Sequence, residues 1–313
     1  MVDTALNKKI VHTLLYYDLF DYPLTGVELW QYVISKERYG LAEVLEAARN
    51  NKEIVEEHGF FCLKKREAII NQRKIEYLFA LKQRRKMQKW LPCFKVFPCM
   101  KGLFLSGPIA LDVSRENSDI DIFSVTAVHR LWTARFFVVM VLKIFRQRPG
   151  FIPVLGKKKG SNRGKFCFSM WCTEADMDLQ RYALSDNDIH FALWLKHLSP
   201  IWTNGDNVYK KFVQTNTWVR QYGEWLCAER KGFSRSIIAR CCELVLSIIP
   251  DGVFERIEWH LLPRLTRQKA LGSGTDVVVS HECAKLHITD RREEYNRAWR
   301  GRIQAYERTE SVV

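Results

Sequence analysis

Residues 101–126 read KGLFLSGPIALDVSRENSDIDIFSVT, and the fold turns on this stretch. Leu103 to Leu105 is a short apolar run that stops at Ser106-Gly107-Pro108, a turn signal. Ile109 to Arg115 has room for two helical turns. Ile122-Phe123-Ser124-Val125 then continues as a second strand, entered through Ser118-Asp119-Ile120-Asp121. Alternate side chains of a strand share one face, so Asp119 and Asp121 point the same way and Ile120 and Ile122 point into the core. Two carboxylates a few ångströms apart repel unless a cation lies between them. A hard divalent ion such as Mg²⁺, shared with a substrate phosphate, resolves that repulsion.

Strand, Gly turn, about ten residues, then Asp-x-Asp on the next strand: this order resembles the DNA polymerase β-type nucleotidyltransferases. Gly107 is followed, Pro108 aside, by ten residues and then Asp119. The resemblance covers residues 101–180. It implies a turn at Ser106, Gly107 and Ser118 that receives an NTP, and carboxylates Asp119 and Asp121 that hold two Mg²⁺ ions and carry catalysis. Three departures stand out. Pro108 replaces the usual Ser or Gly and removes one backbone donor. Asp112 stands where the family often has Gly. The third strand, Lys165 to Cys172 (KFCFSMWC), lacks the family's third carboxylate, which leaves Glu174, Asp176 and Asp178 just beyond it as candidates.

Outward from this centre, residues 5–19 have helical periodicity, with Leu6, Ile10, Leu14 and Leu15 on one face. Thr25 and Glu28 form a capping-box pair before the apolar face Val27, Leu29, Trp30 and Val33. A third helix places Leu41, Val44, Leu45 and Ala48 inward, and Glu53 to Lys64 reads as a hairpin turning at His58-Gly59. That is the element order of a winged helix. Residues 1–65 hold eight Lys/Arg against ten Asp/Glu, however, and DNA affinity draws on phosphate neutralisation. A docking module is therefore expected here, with a DNA-reading regulator as the alternative.

Arg66 to Lys89 reads as one long helix with a basic end, followed by a link through Pro92 and Pro98. Residues 66–101 carry ten Lys/Arg and two Glu. Ala127 to Arg146 is a strongly apolar helix expected to pack on the sheet. Residues 143–165 hold eight Lys/Arg and no acid, and the Gly-rich segment with Lys157, Lys158 and Lys159 reads either as a solvated loop or as a basic flap that meets phosphates of a nucleotide or an RNA end. Beyond residue 180 the periodicity is helical, and Asp290 is placed to cap a last helix.

The expected fold class is α+β. A winged-helix-like domain (1–65) and a basic helical linker (66–100) precede a small mixed nucleotidyltransferase sheet (101–180), and a helical C-terminal bundle (181–313) follows. The net charge of +14 calls for an anionic partner: NTP, with RNA or another anionic acceptor. The first domain is free to bind a protein partner. Nine dispersed cysteines without C-x-x-C spacing read as reduced thiols. Charged residues interrupt the longest apolar runs, so no membrane span is expected, and the setting is read as cytoplasmic. There is no P-loop, dinucleotide fingerprint or Gly-x-Ser-x-Gly turn. The leading expectation is an Mg²⁺-dependent nucleotidyltransferase acting on a hydroxyl acceptor. The alternative is a catalytically impaired relative that still binds nucleotide or nucleic acid.

Overall fold

The computed structural model describes residues 4–148, 162–205, 207–225, 236–272 and 274–310. The first unit contains α1 (Thr4–Tyr17), β1 (Leu24–Thr25), α2 (Gly26–Tyr32), α3 (Leu41–Asn50), β2 (Ile54–Glu57) and β3 (Phe60–Leu63). The three strands form an antiparallel sheet in the order β1-β3-β2. Thr25 caps α2 as its sequence suggests: Oγ1 accepts from Glu28 N, and Glu28 Oε2 accepts from Thr25 N. The β2–β3 turn has positive φ at both His58 and Gly59, the conformation that matches hairpin twist. Leu6, Ile10 and Leu14 are buried as the α1 periodicity requires, whereas Val27 and Leu41 lie on the solvent side of α2 and α3.

Helix α4 (Ala68–Phe94) runs past Pro92, where the sequence suggested a break. Proline removes one helical hydrogen bond. The last turn is held instead by packing, since Trp90 and Phe94 both lie against Phe166 in the core. At its other end α4 is clamped to the first unit. Arg73 donates to Glu28 Oε1 at 2.6 Å and lies over the Tyr22 ring at 4.0 Å, while Tyr22 Oη donates to the same carboxylate.

The main sheet starts with β4 (Met100–Leu105) and β5 (Ile120–Thr126). Helix α5 (Leu131–Ile144) follows, and β6 (Phe166–Thr173) returns parallel to β5. Next come α6 (Ile189–Lys196), β7 (Ser199–Thr203) and α7 (Val208–Thr215). Helices α8 (Ile237–Leu246), α9 (Asp251–Leu261) and α10 (Arg264–Ala270) precede the pair β8 (Val277–Val279) and β9 (Cys283–Leu286), and α11 (Arg292–Glu310) ends the described chain. The sheet has six strands in the order β7-β4-β5-β6-β9-β8, with every pairing except β5–β6 antiparallel.

The region after residue 180 is therefore not a helical bundle, as its periodicity suggested. It supplies both edges of the main sheet, through β7 on one side and β9–β8 on the other. Helices α5 and α9 cover one sheet face together with the end of α4, and α6 and α7 cover the other. Asp188 caps α6 and also accepts from Asn296 of α11, which brings the last helix against α6. Trp299 of α11 donates to His12 O at 2.8 Å, closing α11 onto α1. No helix among the described residues is long and apolar enough to cross a membrane.

Candidate metal centre

Strand β5 projects Asp121 from the face opposite Ile120 and Ile122, both fully buried, and Asp119 immediately precedes it. The neighbouring parallel strand sets Cys167 opposite Asp121. One ligand atom from each of Asp119, Asp121 and Cys167 lies within 4.8 Å of the others. Among the described residues, no cation faces the two carboxylates. Burial pushes the Asp121 carboxyl up to about 7, the Asp119 charge adds to this, and a hydrogen bond from the Cys167 thiol opposes it. Burial also raises Asp119, against hydrogen bonds from its own backbone and from Cys167. The Cys167 thiol is driven well above its ordinary range, first by burial and then by the two acids.

Gly107 sits directly against this pair. Its φ is +65°, and a Cβ there would lie 3.2 Å from Asp121 Oδ2. Glycine is the residue that takes this conformation and this approach without strain. Ser106 N donates to Asp121 O at 3.1 Å, which ties the start of the turn to the carboxylate strand. The turn is a short 3-10 helix, Gly107–Leu111, rather than the two turns expected from residue 109 onward. Pro108 is its second residue, in the first turn, where a missing N–H is tolerated.

Asp112 closes the turn with φ +57°, a left-handed conformation that glycine or a short polar side chain adopts most easily. Its carboxylate pairs with Arg84 of α4, so its charge is taken up there rather than turned toward a phosphate. Arg84 also donates to Ile109 O, bracing the turn from α4. The Ser118 carbonyl accepts from Gln83 Nε2 at 2.9 Å and from Gly164 N at 2.8 Å. Lys86 Nζ reaches Gly164 O at 2.5 Å. Helix α4 thus holds the turn, the strand entry and the foot of the basic segment together. Lys157, Lys158 and Lys159 lie outside the described residues.

The candidates for a third carboxylate are not part of this cluster. Glu174 is seven residues beyond Cys167, roughly 23 Å along a strand at about 3.3 Å per residue. It pairs with Lys101 at 3.0 Å. Asp176 pairs with Arg181, and Asp178 accepts from Gln180 N. Cys167 takes the third place, a position that a search for acids passes over. Two residues on, Ser169 Oγ is 3.0 Å from Nε2 of His287, which follows β9. Burial lowers the His287 imidazole to about 4, so it is neutral near pH 7. Asp290 follows His287 by three residues and takes no part in this contact. Asp290 instead accepts from Arg292 N at the start of α11, which is the capping role expected of it.

A cleft of about 570 Å³ opens over the turn. Its wall includes Gly107, Pro108 and Ser118, with Tyr17 and Tyr22 from the first unit and Tyr295 from α11. The carboxylates do not line it; Asp121 lies behind Gly107. The sequence-predicted residues Ser106, Gly107, Ser118, Asp119 and Asp121 therefore do come together. As donors, two carboxylates suit a hard divalent ion, whereas a thiol suits a softer one. In comparisons with family models, curated proteins and solved structures, nothing matches this chain.

Proposed function

We propose that the chain is a divalent-metal-dependent nucleotidyltransferase that takes an NTP and a hydroxyl acceptor. The observation that carries this reading is the pair Asp119 and Asp121. They lie side by side with no cation against them among the described residues, and directly against a left-handed glycine at the edge of a cleft. Two partly buried, uncompensated carboxylates are costly as they stand, and a dication removes the cost. Asp119 and Asp121 would hold Mg²⁺, and the bound ion would polarise the phosphate and neutralise charge during transfer.

The chain's own contributions follow from the geometry. Gly107 leaves room for a phosphate to approach the backbone, because no side chain blocks it. Arg84 holds the turn and Gln83 the entry to the carboxylate strand from one helix, which fixes their geometry before a ligand arrives. Tyr295, half-buried on the cleft wall, offers aromatic surface to an NTP base or to the acceptor, and buried Tyr17 and Tyr22 back the opposite wall. The first unit, with its winged-helix order, serves here as one wall of the cleft. Helix α3 turns Glu43 and Glu46 to solvent, which disfavours DNA on that surface.

Calorimetry with a nonhydrolysable NTP, with and without Mg²⁺, tests the reading. A radiolabel-transfer screen over RNA, protein and small-molecule hydroxyl acceptors then follows. Native protein is expected to bind only with the ion, and Asp119→Asn combined with Asp121→Asn to lose that binding while staying folded. Equal Mg²⁺-dependent affinity in the double variant would overturn the proposal. One observation favours a second reading, a catalytically impaired protein that still binds nucleotide: Cys167 stands where a third carboxylate would complete the ion's shell. Tight NTP binding with no transfer to any acceptor would select it.

A further inference from the structure

Helices α8, α9 and α10 present apolar side chains that no described part of the chain covers. Ile237, Ile238, Leu244, Val245 and Ile248 are 77, 59, 76, 68 and 83% exposed. At 3.6 residues per turn, these positions and exposed Cys241 fall on one stripe. On α9, Val253, Ile257 and Leu261 recur every fourth residue and are exposed, and Leu265 adds to them from α10. Among the described residues, eleven of the 21 large exposed hydrophobic side chains lie between positions 237 and 271. Single exposed hydrophobes are ordinary, but a concentration of this kind marks a surface with a partner.

Charge identifies the partner. Residues 236–272 contain four acids, and each one is bound within the protein. Glu243 accepts from Cys99 N, and Asp251 accepts from Trp132 N and Thr133 N. Glu255 pairs with His281, and Glu258 pairs with Arg135. Arg240, Arg256 and Arg264 are exposed instead, and none of them forms an ion pair among the described residues. By helical spacing Arg240 and Arg256 stand about a quarter turn from the apolar stripes, at their rims. An apolar stripe edged by cations, with the acids on the far side, is the pattern of a helix lying in an anionic membrane surface. A second copy would bring the same cationic rim against itself, in a chain of net charge +14.

We propose that α8, α9 and α10 dock on an anionic lipid surface. The apolar stripes enter the headgroup boundary, and Arg240, Arg256 and Arg264 meet lipid phosphates. The test is co-sedimentation of the full chain with two kinds of vesicle. One kind is phosphatidylcholine alone; the other is phosphatidylcholine and phosphatidylserine in equal parts. A chelator is present throughout. Binding is expected only with phosphatidylserine, weakening as salt is raised. Leu244→Glu with Ile248→Glu should abolish it, and Arg240→Gln with Arg256→Gln should weaken it about tenfold or more. All four positions are exposed, so the variants should keep the native circular dichroism spectrum. Failure to pellet with phosphatidylserine vesicles would overturn the proposal, as would pelleting that the variants leave unchanged. Sedimentation velocity covers the competing occupant. A native dimer that Leu244→Glu with Ile248→Glu dissolves, without vesicle binding, would assign the stripe to a second copy.

Discussion

Replacing Cys167 by Asp should change the apo and metal-loaded protein in opposite directions. The donor atoms of Asp119, Asp121 and residue 167 lie within 4.8 Å of one another. At that separation and an effective dielectric constant near 20, one pair of like charges costs roughly 3 kcal/mol. Burial, with the charge of Asp119 adding to it, already holds the Asp121 carboxyl at about 7. A third acid in the cluster would have its folded pKa raised as well. A raised carboxyl binds protons more tightly in the folded state, so stability falls as pH rises from the ordinary carboxylate range through the folded value. Denaturation by urea in a chelator should therefore show Cys167→Asp falling behind the native chain by about 3 kcal/mol between pH 4 and pH 8. Saturating Mg²⁺ should reverse the order, because the third hard ligand tightens the ion by about tenfold and binding stabilises by mass action. Cys167→Asn, with the same shape and no charge, should show neither effect. A Cys167→Asp chain with unchanged Mg²⁺ affinity and no pH-dependent loss would refute the placement of residue 167 as the third ligand.

Gly107→Ala forces a left-handed alanine and a Cβ 3.2 Å from Asp121 Oδ2, so urea denaturation should show a loss of about 1–2 kcal/mol. Its Mg²⁺-dependent NTP binding should weaken too, and native-like affinity would mean that phosphate does not approach this backbone. Pro108→Ser restores one N–H at the turn, and calorimetry should find NTP binding about tenfold tighter, since a hydrogen bond to a charged acceptor contributes roughly 1.5–3 kcal/mol. Weaker or equal binding would show that the turn is not a phosphate cradle. Arg73→Ala leaves the Glu28 carboxylate half-buried without its cation, and should cost about 3–5 kcal/mol in urea at neutral pH. Burial alone would raise Glu28, but its bonds from Arg73 outweigh that and hold it below the usual range. The pair therefore stabilises above the ordinary glutamate pKa, and the gap between native and variant should close as pH falls through the folded value. A gap that stays constant down to acid pH would assign the loss to packing alone.

Local chemistry made some of this structure readable from sequence. The Thr25–Glu28 capping box and the alternation around Asp121 are decided by neighbours a few residues away, and both occur as read. Strands β7, β8 and β9 were not readable in that way. They have five, three and four residues, too few for a period to show, and β9 carries Lys285 at a buried position. That lysine is tolerated because its Nζ reaches Thr275 O and Asp290, partners that only the folded chain supplies. The end of α4 is a similar case. Pro92 signals a stop, and the aromatic packing of Trp90 and Phe94 on Phe166 overrides it from far along the chain.

Residue 167, the third member of the cluster, shows where a readable signal was missed. Ile120-Asp121-Ile122 and Phe166-Cys167-Phe168 have the same apolar–polar–apolar alternation, and the parallel register sets Ile120 opposite Phe166 and Asp121 opposite Cys167. Both apolar pairs are buried in one core cluster on the same face of the sheet. The two polar residues must then share the other face, whatever their chemistry. Matching the two strands by burial alone would have placed residue 167 beside the carboxylates. Looking for an acid led instead to Glu174, Asp176 and Asp178, beyond the far end of the strand, where Lys101, Arg181 and Gln180 N partner them. Strand geometry therefore defines the position, and the side chain there decides the chemistry. With Cys167 the cluster has two hard oxygen donors and one thiol whose proton is held tightly. An ion that must first displace that proton gains less from the third ligand than it would from a carboxylate. In the proposed metal site, ion affinity is thus the property that this one residue would set most directly.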